Sequence, residues 1–132
     1  MAGTVSITYE EIGIVKVITL DWLSHSDGTI SGTATKKING EIVKIVFDPD
    51  AGGTLPSDAY DLTLLDDNGL DVLAGQGANL SQTNTTAVVP GVAFKDGTTT
   101  SEVRCFVSST LELRGAACGD AKGGIVKIYY IG

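Results

Sequence analysis

The sequence predicts an all-β protein, a single-domain antiparallel β-sandwich or jelly-roll-like barrel. Three observations carry that expectation. Seventeen glycines and many Thr, Val and Ile residues punctuate short apolar runs, the pattern of strands separated by turns. The runs recur at roughly ten-residue intervals, the spacing of sandwiches and barrels. No window combines helical periodicity with capping residues.

The chain opens with two runs rich in Val, Ile and Thr, read as strands at Val5–Tyr9 and Ile12–Leu23. "TISGTAT" suggests a third at Thr29–Thr35, and "EIVKIVF" a fourth at Glu41–Phe47. Further strands are expected at Ala59–Leu65, Leu70–Leu73, Thr86–Phe94, Glu102–Val107, Thr110–Arg114 and Ile125–Ile131. The polar stretches "ANLSQTNTT" and "KDGTTTSE" read as surface loops. No repeat or linker interrupts the chain, and 132 residues are the size of one domain with a real core. Residues 1–132 are therefore expected to form one β domain, with 1–11 as an N-terminal arm or edge strand.

Two hairpins are predicted at Asn39-Gly40 and Asn68-Gly69, because both residue types tolerate the positive φ of a tight turn. In the second, a two-residue loop would set Asp66 opposite Asp71, and facing like charges destabilise a ladder. A type I turn with Gly69 as the bulge residue pairs Asp66 with Leu70 instead. Leu64 then faces Val72 and Leu62 faces Ala74. Tyr60, Leu62, Leu64, Leu70, Val72 and Ala74 make one apolar face, with Asp61, Thr63 and Asp71 on the other and Leu65 and Leu73 among them.

Some strands look apolar on both sides. In "IVKIYYI", Ile125, Tyr129 and Ile131 alternate with Val126, Ile128 and Tyr130. In "EIVKIVF", Ile42 and Val46 oppose Val43, Ile45 and Phe47. A two-layer sandwich that solvates its outer faces gives apolar-polar alternation instead. Ile125, Ile128, Tyr129, Tyr130 and Ile131 are therefore candidate subunit-interface residues.

Charge restricts the partners. A net charge of −7 opposes nucleic-acid binding and attachment to anionic lipid. No apolar run approaches a membrane span, and the N-terminal stretch has no signal-peptide pattern. Folding in a cytoplasm is expected, and there a Cys105–Cys118 disulfide is disfavoured.

No catalytic set is expected. His25 lies in "LSHSDG" beside Ser24, Ser26 and Asp27, but adjacent turn residues do not form an in-line triad. His25 reads as a solvated loop residue. "AGQGAN" has G-x-G without a third glycine. Neither "DDNGLD" nor "DPDAGG" meets the ligand spacing of a calcium loop. The acids read as turn caps that bond nearby backbone. No metal or cofactor is expected. Trp22, Tyr9, Tyr60, Tyr129 and Tyr130 are spread over strands, where packing is their expected use rather than carbohydrate stacking.

The pattern P-x-D-x-Y-D-x-x-L-x-D-x-x-G-x-D-V-L, from Pro56 to Leu73, resembles a group of small tailed-bacteriophage virion proteins. The resemblance continues through "STLELRGAACGDAKGGIVKIYYIG" and covers about the C-terminal two-thirds. Capsid decoration (cement) proteins are similar in size and all-β character. The resemblance implies a non-enzymatic protein on the outer capsid surface of a virion assembled in the host cytoplasm. Its partners would be itself, as a homotrimer or homodimer, and a major capsid protein. A head–tail connector, tail or fibre-associated domain is the alternative, followed by a carbohydrate-binding module.

Overall fold

The structure, a computed structural model, describes residues 3–32, 34–89, 92–94, 100–102 and 105–132. Strand β1 (Thr4–Ile12) turns through Gly13 and Ile14 into β2 (Val15–Leu23). The chain continues as β3 (Ile38–Pro49), β4 (Asp61–Leu65), β5 (Thr86–Val88), β6 (Val92–Phe94) and β7 (Thr100–Glu102). It ends with β8 (Cys105–Ser109), β9 (Glu112–Ala116) and β10 (Gly123–Ile131). A 3-10 turn at Gly52–Thr54 is its only helical piece among the described residues.

The large antiparallel sheet runs β1-β2-β10-β3-β5, and β8 also pairs with β3. Strands β4 and β9 form a second sheet, and β6 pairs with β7. The protein is thus all-β and sandwich-like. β2, β10 and β3 are central. Their inner residues Ile18, Leu20, Trp22, Val126, Ile128, Tyr130, Ile45 and Phe47 are buried. They share one core with Leu62, Leu64, Leu111 and Leu113 from the β4–β9 region, and with Ile30, Leu73 and Leu80 from loops. Trp22 and Tyr60 link the layers, with ring centroids 5.8 Å apart.

Several boundaries differ from expectation. The single long run at Ile12–Leu23 is broken at Gly13–Ile14, so residues through Ile12 form the edge strand β1 and not a free arm. Among the described residues of Thr29–Thr35 no strand forms. The ends of this stretch are tied to the β9 region by a bridge between Ile30 and Gly115 and by the Thr35 N–H donating to Leu111 O at 2.8 Å. The expected strands at Thr86–Phe94 and Glu102–Val107 are represented by β5 to β8, and residues 90–91 and 103–104 within them lie outside the described set.

Asn39-Gly40 is not a hairpin. Both residues lie inside β3, where Asn39 pairs with Ser108 and Gly40 with Val107. The glycine serves a close approach instead: a Cβ on Gly40 would sit 2.3 Å from the Ile131 carbonyl oxygen. The Asn39 side-chain oxygen accepts from Ser108 Oγ at 2.5 Å.

Strand β3 also carries a bulge. Tyr129 pairs with Lys44 while Tyr130 pairs with Ile42, so Val43 is an extra residue. The bulge reverses the facing expected for Ile42. It joins Ile45 and Phe47 in the core, whereas Val46 stays on the outer side.

Candidate functional site

Asp58, Asp61, Asp66 and Asp71 of the Asp58–Gly77 stretch serve the backbone. At Asn68-Gly69 the bulged turn forms as expected. The Gly69 N–H donates to Asp66 O and the Asp66 N–H donates to Leu70 O, both at 3.0 Å. Gly69 takes φ +79°. The Asp66 carboxylate accepts from Asn68 N–H and Leu70 N–H. The Val72 N–H reaches Leu64 O, placing those two residues opposite each other. Beyond Val72 the hairpin stops, because Ala74 and Gly75 take positive φ and turn the chain away. Leu70–Leu73 is therefore not a strand, and Leu62 bonds Gly77 rather than facing Ala74. Leu70 is 65 % exposed, so it leaves the expected apolar face, while Leu73 is buried in its stead.

Asp71 holds this departure. One of its oxygens accepts from Leu64 N–H and Leu73 N–H, and the other from Gly75 N–H. Asp61 accepts from Asn79 N–H, and Asp58 from Gln82 N–H. Each of these carboxylates replaces a ladder partner that the irregular loop lacks. Among the described residues no three His, Cys, Asp or Glu side chains gather as a metal cluster.

The His25 loop is a clasp. The Gly3 N–H donates to His25 Nδ1 at 2.7 Å, which leaves Nε2 facing Ser31 Oγ at 2.8 Å. The ring is half-buried and partnered at both nitrogens, more engaged than a solvated loop residue. Ser24 turns away from it. Its hydroxyl donates to Gly119 O at 2.5 Å and accepts from Lys122 N–H. The Thr29 hydroxyl and N–H bond the Asp27 carboxyl and hold it below the ordinary carboxylate range. Ser26, Asp27, Ser57, Asp58 and Asp120 rim an open cleft of about 450 Å³. Its acids are exposed; Asp27 accepts from Thr29 N–H within its own turn, and Asp58 accepts from Gln82 N–H of a distant loop.

Both cysteines are free thiols. Burial, helped by Asp61, pushes the Cys118 thiol up to about 12. Burial and then Glu41 raise Cys105 as well. Neither is an activated nucleophile.

The remaining surface feature is the outer face of the large sheet. Register places Val15, Val17, Thr19 and Asp21 of β2 beside Ile131, Tyr129, Lys127 and Ile125 of β10. Lys44, Val46 and Asp48 of β3 continue the rows. Val17 is only 7 % exposed although it lies outside the core cluster, and Val15, Thr19, Val46, Ile125, Lys127 and Tyr129 on the same face are partly buried. The Lys44 ammonium stands 5.0 Å above the Tyr129 ring. Of the five candidate interface residues, Ile125, Tyr129 and Ile131 are on this face. Ile128 and Tyr130 are not. They are buried inside the domain, because alternation along β10 turns them to the core.

Trp22 and Tyr60 are core residues as well, so neither offers a stacking platform. Searches of family models, curated proteins and solved structures find no match to this chain.

Proposed function

We propose that this protein is a non-enzymatic virion structural protein, a decoration protein that binds the outer surface of a phage capsid and braces neighbouring major capsid subunits. The observation that carries the reading is the outer face of the large sheet, where Val15, Val17, Tyr129 and Ile131 group at one end, Lys127 stands in the middle beside Val46, and Ile125 lies between Asp21 and Asp48 at the other end. A face that mixes aromatic and aliphatic side chains with a few charged ones has the composition of a protein contact surface. The Pro56–Leu73 pattern supports the same reading through its likeness to phage virion proteins. Its aspartates add rigidity to a loop layer and supply no chemistry. A self-associating chain bound to a protein shell also needs no cationic surface, in keeping with the net charge of −7.

The test is stoichiometry in purified particles. A copy number comparable to that of the major capsid protein, with the chain released before the shell opens, is the expected result. A handful of copies per particle would instead place the chain at one vertex, as a connector or tail component. Absence from particles would overturn the virion reading altogether.

A further inference from the structure

The large sheet ends at β1, nine residues long and without proline, lysine or bulge to blunt it. Exposed edges of that length are normally protected, because their unpaired N–H and C=O groups invite another strand. Which groups are unpaired follows from the turn. A two-residue loop, Gly13–Ile14, makes Ile12 and Val15 a hydrogen-bonded pair. Thr4, Ser6, Thr8, Glu10 and Ile12 then direct their backbone groups to β2. Val5, Ile7, Tyr9 and Glu11 direct theirs outward, and among the described residues no backbone hydrogen bond reaches them, although Gly32 packs on the Val5 side chain and the Lys36 N–H donates to the Tyr9 hydroxyl.

We propose that this edge pairs with the β1 of a second copy, antiparallel about a two-fold axis at Thr8, so that the two large sheets become one. The sequence of the strand selects both the partner and the register. Centring on Thr8 sets Ile7 against Tyr9, Val5 against Glu11, Ser6 against Glu10 and Thr8 against its own copy, using all nine residues. An aromatic facing a β-branched residue and a threonine facing a threonine are favourable cross-strand pairs. No glutamate faces a glutamate. Moving the axis to Glu10 or Glu11 would oppose like charges and shorten the overlap. The four outward residues of each copy meet one another as hydrogen-bonded pairs in this register, so every free backbone group of the edge is satisfied. Each chain carries a net charge of −7, so the pairing strengthens as added salt screens the repulsion. The inference concerns the isolated chain and holds whether or not that chain sits on a capsid.

Cysteine cross-linking tests it. Thr8 and Ser6 are both exposed, so a cysteine is tolerated at either in the single domain. In a Cys105→Ser background, Thr8→Cys places two sulfurs across the axis at a non-hydrogen-bonded pair, about 4.5 Å apart at Cα and within disulfide reach. Ser6→Cys leaves its two copies offset by four residues, about 13 Å. The expected result is a dimer of the parent chain by sedimentation and rapid oxidative dimerisation of Thr8→Cys, at least tenfold faster than Ser6→Cys. A parent that sediments as a monomer or trimer, or equal cross-linking rates, would overturn the proposal. Loss of capsid binding with the cross-link intact would count against the virion reading alone.

Discussion

Asp71 is the residue on which the irregular half of the core layer depends. Its carboxylate accepts three backbone N–H groups, from Leu64, Leu73 and Gly75, and thereby turns Leu73 into the core. Asp71→Ala strips those donors of their partner and should cost about 2 kcal/mol in urea unfolding. Asp67→Ala is the matched control. That side chain is exposed, and the backbone bond from Asp67 N–H to Ser109 Oγ survives the change; an unchanged unfolding midpoint is expected. A second residue-scale effect appears in alkali. Burial raises the Tyr60 hydroxyl to about 12, with Cys118 and Asp48 adding to the effect, and Cys118 itself is raised to about 12. In the unfolded chain the two protons leave near the ordinary values of 10.0 and 9.0. The folded state therefore binds more protons between about pH 9 and 12, and stability must fall as pH rises through that window. Below pH 9 both groups are protonated in either state and contribute no slope. Unfolding midpoints taken from pH 7 to 11 should stay flat and then decline, and the decline should be shallower for Cys118→Ala.

At the scale of elements, the two Asn-Gly pairs differ although their letters agree. Gly69 occupies a turn at φ +79° with open space around it, so Gly69→Ala meets only backbone strain, about 1 kcal/mol. Gly40 has no such dihedral but lies against the end of β10, and Gly40→Ala must push the Ile131 backbone aside. The larger loss is expected at Gly40, with faster amide exchange at Ile131 and along Asn39–Glu41. That contrast marks the limit of reading from the chain. The turn at Gly69 was legible because its register is settled by neighbours in sequence, above all by Asp66 and Asp71. Gly40 depends on a strand ninety residues away, and no local signal distinguishes close approach from a turn. The Val43 bulge was hidden for the same reason, since only the partner strand shows that Tyr129 and Tyr130 skip a residue. The two-sided character of β10 was visible in its alternation. What alternation left open was which side meets the core, and hence that Ile128 and Tyr130 belong inside.

At the scale of the whole molecule, stability and association fall on opposite faces of one sheet and can be changed separately. The inner face and the β4–β9 layer make the core, whereas the outer strip through Ile125 and Tyr129 contributes little to folding of the single chain. Ile125 stands between Asp21 on β2 and Asp48 on β3. Ile125→Lys therefore replaces an apolar contact residue with a cation between two carboxylates, an arrangement that favours the sheet by up to about 1 kcal/mol. Combined with Tyr129→Thr, which keeps a strand-forming residue, it should leave thermal unfolding within a few degrees of the parent. Binding to shells lacking the protein should fall by at least a hundredfold, as expected when two anchoring apolar residues of a contact are removed. Pelleting with such shells measures this, and the same variant should still form the Thr8-centred dimer, because the β1 edge is untouched. A variant that unfolds would show that the outer strip is part of the core. One that folds and binds as well as the parent would show that the shell is gripped elsewhere, by the loops or not at all.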